Sequence, residues 1–201
     1  RDFSHYAMLF TSQFDEKKGK VIAGKPDAPL AKVGNTRKKG TLVRFLPDDA
    51  IFEDVRFNYD TVFRRLQELA YLNRGLKIVF LDERVSDPAR RETTFHYEGG
   101  IIDYVRYLND GKTVLHDQPI YLEGQRDSVI CRVAIQYTDG YTESLFSYVN
   151  NIPTGEGGTH ETGFKAAFTK MFNDYARRNG FLKEKDSNLT GEDFREGLSC
   201  V

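Results

Sequence analysis

A glycine-rich turn between an extended segment and a long helix constrains this chain more than any other feature. Residues 142–152 form an extended run with many apolar side chains, and Gly155, Gly157 and Gly158 follow it closely after Pro153. Glycine accepts the positive φ angles that a sharp strand-to-helix turn needs. A helix that starts directly after the turn also leaves backbone N–H groups free. The stretch therefore predicts a structural elbow or an anion-binding site, and the pattern leaves both open.

The helix after this turn is predicted to start near Thr159 and to end at Gly180. Its apolar residues recur at helical spacing and are expected to form one buried stripe, consisting of Phe164, Phe168, Met171, Phe172 and Tyr175. Four cations project from the same helix, namely Lys165, Lys170, Arg177 and Arg178. Such a cluster can contact a phosphate backbone without reading base sequence, and it can equally be a solvated helix face.

The segment between residues 58 and 111 predicts two helices around a hairpin. Asn58 is expected to cap a helix that Gly75 ends. Residues 76–81 and 93–97 are two short strands joined by a charged connection, which is typical of a hairpin. Helical spacing of apolar residues then predicts a short helix over 101–108.

The second half of the chain predicts three strands in succession, at 119–122, 127–137 and 142–152. Asp139-Gly140 is a strong two-residue turn signal, so the last two strands are expected to pair directly. Strict alternation within 127–137 predicts that Cys131 is buried. A helical turn at 191–198 is expected to lead into another strand. Helices and strands mix without regular βαβ alternation, which predicts an α+β domain with helices covering a largely antiparallel sheet.

The N-terminal part is predicted to be a separate region that ends within residues 48–54. It contains a predicted strand over 5–14, an irregular loop over 20–40 and a strand over 41–46. Between residues 17 and 44 there are nine basic residues against one acid, which suits a solvated loop or a binding face. The resulting division is 1–50 and 51–201.

Several familiar chemistries are excluded by the motifs. His160-Glu161 begins a zinc-protease pattern, but Phe164 stands where the second histidine is needed, so no metal site is predicted. The turn from Gly155 to Thr159 does not contain the Gly-Lys-Ser/Thr sequence of a phosphate-binding Walker loop. No residue is assigned a catalytic role. Two isolated cysteines and the lack of a long apolar run predict a reducing, cytoplasmic setting without a membrane anchor.

A set of ordered motifs resembles the ATPase subunits of bacterial type IIA DNA topoisomerases, the class that contains gyrase B and its topoisomerase IV counterpart. The main one is Ser147-Tyr-Val-Asn-Asn-Ile-Pro-Thr-Gly-Glu-Gly-Gly-Thr-His-Glu-Thr-Gly-Phe. The others, in chain order, are Gly40-Thr-Leu-Val-Arg-Phe-Leu-Pro-Asp, Arg65-Leu-Gln-Glu-Leu-Ala-Tyr-Leu-Asn, His96-Tyr-Glu-Gly-Gly-Ile, Val133-Ala-Ile-Gln-Tyr-Thr-Asp-Gly-Tyr and Arg195-Glu-Gly-Leu. Together they cover most of residues 28–201.

The resemblance implies a role for each part of the chain. Residues 1–50 are expected to be the tail of a GHKL-type ATPase domain. Residues 51–201 are expected to be a transducer domain similar to the second domain of ribosomal protein S5, cut short at its end. Without the resemblance, the same residues suit a self-contained phosphate-binding domain that uses the turn from Gly155 to Thr159.

The same resemblance implies cofactors and partners. The parent protein is expected to bind ATP and Mg²⁺ in a pocket outside this chain, so that this chain alone binds neither and is inactive. The implied partners are double-stranded DNA, an A-type cleavage subunit and a second copy of the parent. Lys165 lies where the family tends to carry a basic residue facing the transported DNA, so it is the DNA-contact candidate.

Overall fold

The computed structural model describes residues 3–15, 17–37, 43–49 and 52–201. The chain divides into two compact units, the first ending at Asn58 and the second beginning at Tyr59. The first unit contains the strands β1 (Phe3–Ala7), β2 (Phe10–Asp15), β3 (Lys20–Pro26) and β4 (Ala31–Thr36). Antiparallel pairing joins β1 to β4 and β2 to β3.

This unit corrects the N-terminal predictions. The predicted strand over 5–14 is divided at Met8 and Leu9 into β1 and β2. The predicted irregular loop over 20–40 is wrong where the structure describes it, because β3 and β4 lie there. Antiparallel pairing with β2 and β1 orders these segments despite their glycines and prolines. Residues 43–46 of the predicted strand over 41–46 are not in a strand, and residues 41 and 42 lie outside the described residues.

The second unit mixes helices with mostly antiparallel strands, as the α+β prediction requires. Its elements, in chain order, are α1 (Tyr59–Leu72), β5 (Lys77–Leu81), α2 (Pro88–Arg91), β6 (Glu92–His96), α3 (Ile101–Leu108), β7 (Ile120–Arg126), β8 (Val129–Tyr137), β9 (Ser144–Leu145), β10 (Tyr148–Val149), β11 (Ile152–Pro153), α4 (Thr159–Arg178), α5 (Gly191–Arg195) and β12 (Leu198–Cys200). The predicted helices α1, α3 and α4 and the β5–β6 hairpin are confirmed.

The main sheet has the strand order β7-β8-β12-β9. The predicted direct pairing of 127–137 with 142–152 is therefore wrong. Strand β12 lies between them, antiparallel to β8 and parallel to β9. A buried network holds it there, since Ser199 Oγ donates to Asn109 Oδ1 at 2.6 Å and Asn109 Nδ2 donates to Gln136 Oε1 at 3.0 Å. Buried polar groups that satisfy one another in this way specify one arrangement of the strands.

The predicted strand over 142–152 is broken into short pieces. Asn150 and Asn151 take positive φ angles of 51° and 67°, and they form the turn between β10 and β11. Asparagine tolerates this conformation better than most residues, and it is common in two-residue hairpin turns. Residues 142–152 therefore bend back on themselves before the glycine turn begins.

The core of this unit has two apolar clusters, one on each side of the sheet. Tyr71, Tyr104, Val105, Ala134 and Val201 form the first, and Ile135, Phe168, Leu198 and Cys200 form the second. Helix α4 covers the second cluster with Phe164, Phe168 and Phe172. The prediction that Met171 and Tyr175 join this stripe is wrong, because their exposed fractions are 54% and 59%.

Cys131 is also placed differently from its prediction. It pairs with Gly124 in the outer part of the β7–β8 ribbon, beyond the end of β12, and it is exposed. Alternation places Cys131 on one face with Val133 and Ile135. That face is covered near Ile135, but not at the end of the ribbon.

Candidate functional site

The glycine turn links β11 to α4 through backbone hydrogen bonds. Thr154 N donates to Ser147 O at 2.9 Å, and Gly157 N donates to Thr154 O at 2.8 Å. Gly157 has a φ of 77°, the left-handed conformation that favours glycine. Gly158 directly precedes the first residue of α4. A Cβ at Gly155 would meet open space, so Gly155 is not required there by close packing.

A carboxylate already lies against the start of α4. Ser147 Oγ donates to Glu161 Oε2 at 2.9 Å and lies 2.6 Å from Thr154 Oγ1, which in turn lies 3.1 Å from His160 Nε2. A carboxylate in the first turn interacts favourably with the helix dipole, and it repels a second anion. Of the two interpretations of the turn, this arrangement favours the structural elbow over an anion-binding site.

Lys165 projects from α4 one turn after Glu161 and lies between two carboxylates. Its Nζ is 2.8 Å from Glu161 Oε1 and 3.6 Å from Glu143 Oε1. The hydrogen bond to Glu161 raises the pKa of Lys165, and hydrogen bonds from Lys165 and then Ser147 lower the pKa of Glu161. Both groups are therefore charged at neutral pH. The Lys165 side chain keeps 33% of its surface exposed, so it can still meet a ligand from solvent.

Glu143 connects Lys165 to α5. Arg195 Nε donates to Glu143 Oε2 at 3.0 Å, and the Arg195 side chain is only 13% exposed. The other oxygen, Glu143 Oε1, is buried and accepts no hydrogen bond from any residue in the described part of the chain. Sequence reasoning assigned neither residue to the site, although Arg195 opens one of the family motifs. Glu143 and Arg195 are 52 positions apart, and only the fold brings them together.

The other three predicted cations of α4 behave differently from one another. Lys170 Nζ lies 2.6 Å from Asp174 Oδ2. Arg177 holds the following loop, because its guanidinium donates to Lys183 O at 3.0 Å and to Asp186 O at 2.9 Å. Arg178 is exposed. The predicted cluster therefore contains two ion-paired lysines and one arginine with a structural role.

A groove of about 520 Å³ runs between α4 and α5, and Lys165, Lys170 and Arg195 line it. The remaining lining residues are Thr162, Ala166, Thr169, Asn173, Asp174, Asn188 and Leu189. Ammonium, guanidinium and hydroxyl groups are the usual protein partners of phosphate oxygens. The groove therefore has the chemistry to receive a phosphate group, although each of its cations already has a carboxylate partner.

Neither a metal centre nor a membrane span is found in the described part of the chain. There, no group of three or more His, Cys, Asp or Glu residues is arranged to hold a metal ion. Within the same ranges, no helix is both long enough and apolar enough to cross a membrane.

The sequence model of the DNA gyrase B family matches residues 100–201. The gyrase B protein of Clostridium acetobutylicum is 51% identical over 179 residues, which is 89% of this chain and 28% of that protein. The gyrase B protein of Bacillus mycoides is 48% identical over 183 residues, covering 90% of this chain and 45% of its own length. The chain thus spans less than half the length of these relatives.

Solved structures give the same assignment. The 43K ATPase domain of Thermus thermophilus gyrase B, solved in complex with an aminocoumarin, superposes with a TM-score of 0.70 at 33% identity. That match covers 98% of this chain and 54% of that domain. The gyrase B protein of Myxococcus xanthus shares the fold over 88% of this chain and 49% of its own, with a TM-score of 0.68 at 24% identity. From its sequence and its fold alike, this chain belongs to the DNA gyrase B family.

Proposed function

We propose that this chain is the part of a gyrase B-type protein that relays nucleotide state to DNA strand passage in a type II topoisomerase. Residues 1–50 are the end of a GHKL-type ATPase domain, and residues 51–201 belong to a transducer domain like the second domain of ribosomal protein S5. The observation that carries the proposal is the family match over residues 100–201, supported by the likeness to the Thermus thermophilus domain.

The parent protein uses ATP and Mg²⁺, and its nucleotide pocket lies outside this chain. The residues at the glycine turn do not fit a nucleotide, because Glu156 and Glu161 put negative charge where a triphosphate would have to bind. Gly157 N is also already engaged with Thr154 O. We therefore expect the chain by itself to bind no ATP and to show no ATPase activity.

The proposed partners follow from the same assignment. They are double-stranded DNA, an A-type cleavage subunit and a second copy of the parent protein, acting together in the cytoplasm. Within this chain, Lys165 is the proposed DNA contact. Its support is that the ammonium is charged, one third exposed and placed at the rim of the α4–α5 groove.

The test uses the parent protein with its A-type partner and the substitution Lys165→Gln. Gln is preferable to Glu, because a third carboxylate beside Glu143 and Glu161 would destabilise the fold and obscure the result. The ion pairs that Lys165→Gln removes are partly exposed to solvent, so their loss lowers the free energy of unfolding by about 1 kcal/mol or less. Lys185→Gln, at an exposed position in the loop after α4, removes the same charge and is the matched control.

We expect Lys165→Gln to slow DNA supercoiling or decatenation several-fold. The strand-passage rate of Lys185→Gln should stay near the wild-type rate, and the melting temperatures of both variants should stay near the wild-type value. Equal strand-passage rates in the two variants would refute the DNA contact. The isolated 201-residue chain should show no ATP turnover above a buffer control. Turnover that persists through further purification would contradict the assignment of the nucleotide pocket to the rest of the parent.

A further inference from the structure

The cations that line the α4–α5 groove and the carboxylates that pair with them are equal in number. Lys165 faces Glu161 and Glu143, Lys170 faces Asp174, and Arg195 faces Glu143. Equal numbers of opposite charges largely cancel at distances beyond the Debye length, which is about 8 Å at physiological salt. The groove therefore attracts a polyanion only weakly from a distance, although its cations can bind a phosphate at short range.

The three cations differ in how easily they can exchange a partner. Side-chain exposure is 33% for Lys165 and 77% for Lys170, but only 13% for Arg195. Ion pairs near water are weak, and a phosphate oxygen that approaches from solvent can replace a carboxylate in them. Arg195 is the most buried of the three, so it keeps its partner Glu143. Lys165 and Lys170 are thus the exchangeable groups, and Arg195 is the fixed one.

We propose that this groove is a DNA-contact surface that works by counter-ion exchange, in which phosphates replace Glu161 on Lys165 and Asp174 on Lys170. The inference rests on the proposed function and deepens it. The displaced carboxylates stay within reach, because each belongs to the same helix as its lysine, four residues away. They compete with the phosphate throughout the contact. Glu143 Oε1, buried and 3.6 Å from Lys165 Nζ, adds to that competition.

Such competition keeps the DNA contact weak and quickly reversible. A segment of DNA that must pass a surface needs contacts that form and break, whereas unpaired lysines would retain it. The carboxylates therefore set the strength of the contact, and removing them should strengthen DNA binding. This outcome is the opposite of what a purely structural role for the ion pairs would give, because weakening the fold does not tighten a binding site.

The experiment measures binding of the 201-residue chain to a short duplex DNA across a series of salt concentrations. The test variant is Glu161→Gln with Asp174→Asn, which keeps the shape of both side chains and removes both charges. The matched control is Glu98→Gln with Glu123→Gln, which changes the net charge equally at exposed carboxylates that contact His96 and Arg132, away from the groove. Lys165→Gln with Lys170→Gln reports whether the groove binds DNA at all.

We expect the test variant to bind about two- to fivefold more tightly per carboxylate removed than the control variant, as the loss of a weak competing pair implies. The logarithm of its binding constant should also fall more steeply with the logarithm of the salt concentration. In the wild type, each displaced carboxylate takes up a cation from solution, which reduces the net release of ions on binding, and the test variant lacks these carboxylates. If the lysine variant weakens binding but the test variant matches the control, the DNA contact stands and the exchange is refuted. If the lysine variant binds as tightly as the wild type, both are refuted.

Discussion

The substitution Phe168→Ala tests most directly which face of α4 the fold buries. Phe168 is 6% exposed and packs in the cluster with Ile135 and Leu198. Its ring centroid lies 5.3 Å from that of Phe164 and 4.7 Å from that of Phe172. Met171 lies less than one turn further along the same helix, yet it is 54% exposed. Met171→Ala is therefore the matched control.

The structure sets very different costs for the two substitutions. Removing a buried phenylalanine ring costs about 3–5 kcal/mol, because burial is lost and a cavity remains. The two ring–ring contacts contribute about 0.5–1.5 kcal/mol each within that total. Met171→Ala removes little buried surface and introduces the best helix former, so its effect stays within about 0.5 kcal/mol. At about 3 °C per kcal/mol for a unit of this size, Phe168→Ala lowers the melting temperature by roughly 9–15 °C.

Urea unfolding followed by far-ultraviolet circular dichroism measures both free energies. This probe suits a chain that contains no tryptophan. The slope of the free energy against urea should be similar in the wild type and both variants, which shows that the denatured states are comparable. Equal losses for Phe168→Ala and Met171→Ala, or a loss below about 1 kcal/mol for Phe168→Ala, would refute the assignment of the buried face.

Two further predictions concern a thiol and a carboxylate. In the folded chain, a thiol reagent at neutral pH should modify the exposed Cys131 rapidly, but Cys200 only when the chain unfolds. Burial shields the Cys200 thiol from the reagent and raises its pKa to about 12. Equal rates of modification at the two cysteines would contradict this prediction. Hydrogen bonds from Arg84 lower the pKa of Asp82 from 3.8 to about 2, so the stability that this pair provides is present above pH 3.8 and is lost as the pH falls towards about 2. The melting temperature of Asp82→Asn should therefore fall less steeply than that of the wild type as the pH is lowered through that window. Parallel curves for the two proteins would contradict a stabilising role for the Asp82–Arg84 pair.

Local signals predicted the helices of the second unit well. Helical spacing of apolar residues placed α1, α3 and α4 correctly, and Gly75 and Gly180 take positive φ angles of 76° and 75° just beyond their helices. The helical turn before β12 is also confirmed, with a capping box between Thr190 and Asp193. These features arise from contacts within a few residues, so a short stretch of sequence contains the necessary information.

Predictions that depended on distant partners were less successful. Asp139-Gly140 suggested a hairpin, but β12 takes the place beside β8 and separates it from β9. The alternation around Cys131 assigned the correct face of the ribbon, yet it could not show that this end of the ribbon is exposed. Met171 and Tyr175 likewise match the helical period, yet both side chains are exposed in the folded chain.

Motif order and helical periodicity were enough to give the family, the α+β class, the start of α4 at Thr159 and the position of Lys165 on that helix. The partners of Lys165 became visible only in the folded chain. Folding brings Glu143, from the segment before β9, against Arg195 of α5, and thereby surrounds the lysine with opposite charge. Electrostatic environment depends on distances in space, and residues 52 positions apart become neighbours only when the chain folds.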